Sequence, residues 1–241
     1  MRSGYRPPPK SPWRFQLRLE DLLFIHWPVP VTAVEKILPD SLSIDTFEDQ
    51  AWVSVVGLTV KNIRVRWLPP LPGIFGTVQV NVRTYVKMGD SPGVFFLSVD
   101  TANVLSAWGA RHFFRLPCFH SHISSTRCGD RFDFAATRRE GAAELRVSYR
   151  PGNEPFKARE GSLEEWLLER YRLYSADSHG RLWLGEIDHA PWSLRPVEAE
   201  IATNSMTLDH NISPPTSDPI CHFTPGLKTR AWPLEKVERH R

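Results

Sequence analysis

The stretch that decides the fold is residues 77–123, TVQVNVRTYVKMGDSPGVFFLSVDTANVLSAWGARHFFRLPCFHSHI. From Val78 to Val86 the even positions are Val78, Val80, Val82, Thr84 and Val86, and the odd ones are Gln79, Asn81, Arg83 and Tyr85. A period of two predicts a strand with one apolar and one polar face. Residues 89–93, GDSPG, hold glycine for positive φ and proline with a preset φ, which predicts a turn. VFFLSV at 94–99 predicts a second strand. Asp100 or Thr101 offers a short side-chain oxygen to cap a helix. Val104, Leu105, Trp108, Arg111 and His112 follow at helical spacing. Pro117 ends that helix, because the residue before proline avoids the α region, and a further strand follows it.

Several other blocks stand in the same order along the chain: LPDSLSIDTFEDQAWVSVV (38–56), NVRTYV, GVFFLSVD, ARHFFRLPCF, SLEEWLLERYRLY, GEIDHAPW and the closing AWPLEKV. Their order and spacing resemble the YqjF-like family of unknown function, which is related to the acetoacetate decarboxylases. The resemblance implies an α+β fold, mainly an antiparallel sheet curled into a cone-shaped barrel with a few packed helices. It also marks the segment after Pro117, where the decarboxylases carry two adjacent lysines. One forms a Schiff base, and its neighbour's charge keeps it deprotonated; the handling of a lysine by an adjacent cation in this enzyme is a standard example. Here Cys118 and Phe119 stand at that place, and neither forms an imine. The seven lysines include no adjacent pair; Lys157 with Arg159 and Lys228 with Arg230 are the nearest substitutes. Schiff-base decarboxylation is therefore disfavoured, since fold does not carry function.

Working outward, the chain has 241 residues, 41% hydrophobic and 24% charged, in the range of a folded globular protein. A net charge of +3 and the absence of a basic stripe interleaved with aromatics argue against nucleic acid as a partner. No apolar run reaches the length of a membrane span, so no membrane partner is expected. Three widely spaced cysteines, Cys118, Cys128 and Cys221, argue against a disulfide framework and for a reducing, cytoplasmic setting. Residues 1–13 read as a flexible, basic, proline-rich lead and 14–241 as one domain. Further elements are a strand in Phe15–His26, a short helix near Val31–Ile37, and a hairpin of Leu42–Phe47 with Ala51–Val60 around Glu48-Asp49. The clearest helix starts at Ser162 and Glu165, which have capping-box spacing. Pro219–Phe223 and Leu227–Trp232 close the sheet. Residues 67–75 hold Trp67, Leu68, Leu71, Ile74 and Phe75, too apolar for a solvated loop; they suit a covered loop packed on the body, a pocket lid or a partner surface.

The candidate chemistry follows. Cys118 is a nucleophile if a base or cation lowers its pKa, with His120 two residues on as the partner; otherwise it is a small buried residue, as free cysteine commonly is. His120 and His122 share a strand face, and Glu186, Asp188 or His189 could supply a third ligand, but His-x-His alone is a weak signal, so no metal and no cofactor is assigned. Asn81, Arg83 and Tyr85 form the polar face of their strand. They line a ligand-holding lumen or face solvent; the period does not say which. Arg83 would anchor a carboxylate or phosphate with its two-pronged guanidinium. Arg111, near the end of its helix, is a further anion-binding candidate, although helix-dipole complementarity also accounts for a basic residue there. The function expected is a small-molecule binder or enzyme with a polar pocket for an anionic, carboxylate-type ligand. The alternative is a non-catalytic structural or protein-interaction domain.

Overall fold

The alternating run at 78–86 is a strand with both faces covered, and that double coverage organises the molecule. A computed structural model describes residues 7–68, 76–177, 179–213 and 217–237. The elements among them are β1 (Phe15–Val29), α1 (Val31–Glu35), β2 (Ser43–Ile44), β3 (Ala51–Val65), β4 (Thr77–Met88), β5 (Ser91–Thr101), α2 (Val104–Phe113), β6 (Cys118–Cys128), β7 (Arg131–Arg138) and β8 (Glu144–Pro151). After them come α3 (Leu163–Leu168), β9 (Arg172–Ala176), β10 (Leu182–His189), β11 (Arg195–Asn204), β12 (Ile220–Ala231) and β13 (Glu235–Lys236). No helix among the described residues is long and apolar enough to cross a membrane.

Nine strands close a barrel in the order β4–β5–β6–β7–β8–β11–β12–β1–β3 and back to β4. Every junction is antiparallel except β5–β6, where Val99 pairs with Cys118 in parallel. A parallel step needs a crossover, and α2 supplies it. Asn103 caps α2 by accepting from Ser106 N–H at 3.0 Å. The sequence assigned this cap to Asp100 or Thr101. Both instead complete β5, and the Asp100 carboxylate turns inward to meet Arg138 on β7, Nε to Oδ1 at 2.8 Å and Nη2 to Oδ2 at 2.7 Å. Ser121 on β6 donates to the same carboxylate at 2.6 Å, and the guanidinium lies 3.9 Å from the Phe119 ring centroid. The parallel junction is thus fastened by a buried ion pair whose hydrogen bonds are all directed.

Apart from the Asp100–Arg138 pair at the parallel junction, the interior of the nine-strand barrel is packed with apolar side chains. Trp27 of β1, Val53 and Val55 of β3, Val82 of β4, Phe132 and Phe134 of β7, Leu145 and Tyr149 of β8, and Phe223 of β12 belong to one buried cluster. Gly57 is required there: a Cβ on it would stand 3.0 Å from the Phe134 ring. Phe132, Tyr149 and Phe223 pack ring to ring at 5.0 to 6.1 Å.

A second, shorter circuit shares one wall with the first. β5 and β12 each divide one edge between two partners. Val94 and Phe95 of β5 pair with β9, and Ile187–His189 of β10 pair with the far end of β12. The path β5–β9–β10–β12–β1–β3–β4 is therefore also closed. The opposite faces of β1, β3 and β4 look into it and carry Phe24, Trp52, Val56 and Tyr85, with α3 supplying Leu167 and Leu168.

Two local expectations are corrected. The expected turn at Glu48-Asp49 forms, both residues with positive φ and Phe47 bridged to Gln50, but the ladder does not continue into β3; instead β2 is a two-residue strand on the edge of β4, Ser43 opposite Lys87. The two closing strands are one, β12, whose Gly226 has φ +111° and sits where a Cβ would be 1.9 Å from the Leu19 carbonyl oxygen. In the 67–75 segment, Trp67 and Leu68 are exposed, and Leu71, Ile74 and Phe75 lie outside the described residues.

Candidate functional site

Residues paired directly across neighbouring strands project to the same side of a sheet. That rule assembles the site from register alone. His26 of β1 faces Ser54 of β3, Ser54 faces Arg83 of β4, and Arg83 faces Phe96 of β5. The next row reads His222, Phe24, Val56, Asn81, Val99 and Cys118, from β12 to β6. Thr101 and His120 continue the same face one row further. The polar face of β4 thus looks into the shorter circuit, among the buried apolar side chains of that side, and the nine-strand interior lies behind it.

Helices cover this face at two places. Ala107 of α2 packs on Val99 and Cys118. Trp166 of α3 packs on Tyr85 with ring centroids 4.6 Å apart. Arg83 and Phe96, a cross-strand pair, both keep part of their surface open.

The buried centre is a three-membered hydrogen-bond cluster. Ser54 Oγ lies 2.6 Å from His26 Nδ1 and 2.6 Å from the Tyr85 hydroxyl, which is 3.3 Å from the same Nδ1. All three side chains are fully buried. Burial holds the His26 imidazole well below its usual pKa, and the nearby His222 and Arg83 push in the same direction. Beside Tyr85, the buried Arg170 guanidinium pairs with Asp45 at 2.6 Å and stands 4.5 Å from the Trp166 ring centroid. A cavity of about 250 Å³ opens at Arg170, lined by Asp45, Lys87, Asp90, Trp166 and Arg170 among others and by none of His26, Ser54, Asn81, Arg83 and Tyr85.

Polar atoms on this face are left without partners. They are His26 Nε2, Trp52 Nε1, Asn81 Oδ1, Arg83 Nε, Arg170 Nη2 and His222 Nδ1. Leaving a buried polar group unpaired costs about 1–3 kcal/mol, so several on one face call for explanation. Most are donors. Arg83 lies over the Phe24 ring at 5.7 Å and has no carboxylate partner among the described residues.

The residues singled out from sequence are distributed unevenly. Asn81, Arg83, Tyr85, Cys118 and His120 share the face. The Tyr85 hydroxyl is committed to Ser54 and His26. Cys118 lies buried under α2, where desolvation pushes its thiol up to about 12 against the pull of Arg111. That environment holds a thiol, not a thiolate, near neutral pH; no hydrogen bond joins it to His120. Arg111 is turned to the backbone: its Nε donates to the Cys118 carbonyl at 2.7 Å and its Nη2 donates to the same oxygen. His122 is exposed, while His189 stacks on Tyr171 in another part of the fold, so the ligand set weighed for a metal is not assembled. The described residues hold no group of three His, Cys, Asp or Glu suited to a metal ion. All seven lysines are exposed.

His26, Ser54, Arg170 and His222 were not found from sequence. For His26, Ser54 and His222 the one signal is a polar residue inside an apolar strand run, LLFIHW, WVSVV and ICHF; Arg170, between α3 and β9, carries no such signal.

The chain matches the DUF2071 family, described as an uncharacterized conserved protein, over residues 16–228. It is 39% identical over 229 residues to the uncharacterized protein YqjF of Bacillus subtilis (strain 168), covering 95% of this chain and 94% of that one. Among solved structures it is similar to the enduracididine biosynthesis enzyme MppR complexed with pyruvate, at TM-score 0.68 and 10% identity, covering 95% of this chain and 91% of that one. It is also similar to an acetoacetate decarboxylase from Legionella pneumophila, at TM-score 0.64 and 12% identity, covering 98% and 94%. At such identities the likeness shows the acetoacetate decarboxylase-like fold.

Proposed function

We propose a function from one premise: the chain belongs to the DUF2071 family of uncharacterised conserved proteins. The reading is a small-molecule-binding protein whose pocket is the polar face of the shorter circuit and whose ligand carries an anionic, carboxylate-type group held by Arg83. The observation that carries it is the guanidinium of Arg83, part-buried, without a carboxylate partner, beside other unpartnered donors. A cation in that setting is costly unless something pairs with it. An anion with several acceptor oxygens would satisfy Arg83 and its neighbours together. That MppR was solved with pyruvate supports a ligand of this chemical class in this fold.

Imine chemistry is not part of the reading. Cys118 replaces the amine, and no lysine is buried where desolvation would lower its pKa. The test is thermal shift against a panel of carboxylates and keto acids. Stabilisation by particular acids, lost in a folded Arg83→Met variant, supports the pocket; melting temperatures indifferent to the whole panel reject it.

One observation favours a second reading, an interaction domain. Trp67, Leu68, Val104, Leu105, Trp108 and Phe113 are exposed. Phe15, at the start of β1, touches the Phe113 ring and pairs with Val65 of β3, so the end of α2 sits close to the strand end leading to Trp67. A homo-oligomer by light scattering that Trp67→Glu dissociates, with no response to any acid, would favour it.

A further inference from the structure

We infer that His26 is a ligand-facing donor, held as the neutral Nε2–H tautomer by a relay running from Tyr85 through Ser54. This rests on the pocket reading above and deepens it. The tautomer follows from counting protons. The cluster has two hydroxyl protons, one on Ser54 and one on Tyr85. If Nδ1 carried the imidazole proton, it would donate to Ser54, Ser54 would donate to Tyr85, and the Tyr85 proton would need an acceptor outside the cluster. The described residues supply none. If Nδ1 is the acceptor, Ser54 donates to it and Tyr85 donates to Ser54, so every proton is used. The remaining proton then sits on Nε2, the buried atom with no protein partner.

The surroundings keep the ring neutral. Phe24 stacks on it at 5.9 Å from the same strand. Arg83 of β4 and His222 of β12 are the charged or titratable groups that face it, and both oppose a second proton. His222 lies 5.9 Å away, ring to ring, without a hydrogen bond to it, and its own pKa is lowered by burial against the pull of Glu164. A neutral imidazole with a fixed N–H is a directional donor. Across the sheet it is in register with Arg83, with Ser54 between them. The pair therefore suits a small carboxylate with a second acceptor oxygen on a neighbouring carbon: Arg83 takes the carboxylate, and His26 takes the second oxygen. Ser54 and Tyr85 are positioning residues.

The experiment has two arms. In the first, ¹⁵N-labelled histidine spectra of the ligand-free protein identify His26 as the signal lost in His26→Gln. The Nε2–H pattern, unchanged from pH 8 to 5.5, is expected; an Nδ1–H pattern or a titration near 6.5 overturns the inference. In the second, binding of pyruvate is compared with that of propionate, which lacks the 2-oxo oxygen. Pyruvate is expected to bind about tenfold more tightly, the worth of one well-made hydrogen bond. His26→Gln, which keeps an N–H donor, retains most of that ratio; His26→Leu and Ser54→Ala lower it toward one, with propionate affinity little changed. Arg83→Met abolishes both. A ratio indifferent to His26 while both acids still need Arg83 overturns this inference and leaves the pocket reading standing. If neither acid binds, the carboxylate pocket fails and His26 loses its ligand with it. Should His26→Leu not fold, the spectra and the Ser54→Ala ratio decide.

Discussion

The neutrality of His26 has a measurable thermodynamic consequence, worked here for the substitution His26→Gln. In the unfolded chain the imidazole takes up a proton near pH 6.5; in the fold it resists, because it is fully buried beside Arg83 and His222. Below 6.5 the unfolded state therefore binds more protons, and stability falls as pH falls. At pH 7.5 the unfolded chain gains about 0.1 kcal/mol from this one group, and at pH 5.5 about 1.4 kcal/mol, as long as the folded pKa stays lower still. His222 and His189, both buried and both shifted the same way, add to the loss in the wild-type protein. Urea unfolding at the two pH values gives the loss directly. The wild type is expected to lose about 1.3 kcal/mol more than His26→Gln between pH 7.5 and 5.5. Any general destabilisation by the substitution cancels, because each protein is compared with itself. Equal losses would show that His26 is protonated in the folded state or already neutral in the unfolded one, and would refute the reasoning.

Other outcomes are expected. Arg83→Met removes an uncompensated, part-buried cation, so its melting temperature should hold or rise even as carboxylate binding is lost; a clear fall would mean Arg83 has a structural partner. Asp100→Ala leaves the buried Arg138 with the partly exposed Asp209 as its one remaining ion-pair partner among the described residues and should cost about 3 kcal/mol in urea unfolding. Gly226→Ala drives a Cβ into the Leu19 carbonyl at a φ that suits only glycine, and a loss of roughly 3 kcal/mol or more is expected, checked by melting temperature. At pH 8 a thiol reagent should label exposed Cys128 quickly and Cys118 and Cys221, both pushed up to about 12 by burial, slowly; fast labelling of Cys118 would restore it as a nucleophile.

The fold was legible where its signals are local. Alternation gave β4, the GDSPG turn gave its hairpin with β5, and Pro117 gave the start of β6. The resemblance supplied the barrel that no local pattern could. What stayed hidden is non-local. Nothing near residue 43 says that it will join β4 and not β3, and Arg172–Ala176 is too short to announce β9. For the site, the period placed Asn81, Arg83 and Tyr85 on one face but could not say that both faces are covered. His26 and Ser54 sit in strands buried on both sides, whose sequences read as nearly continuous apolar runs, so a single polar residue carries little weight. Arg111 shows the opposite error: a basic residue near a helix end reads as an anion anchor, yet its guanidinium is spent on a carbonyl.

The wall formed by β1, β3 and β4 behaves as a partition between two packed compartments. Trp27, Val53 and Val82 stand on one side of it, and His26, Ser54 and Arg83, their immediate neighbours in sequence, on the other. Because packed interiors transmit displacement and scarcely compress, a methyl group added or removed on the first side moves the plane on which the polar groups are mounted. If the pocket proposed above binds its ligand, selectivity would drift through substitutions that never touch that ligand, and a search for altered preference has as much reason to vary Val53 and Val82 as Arg83 itself.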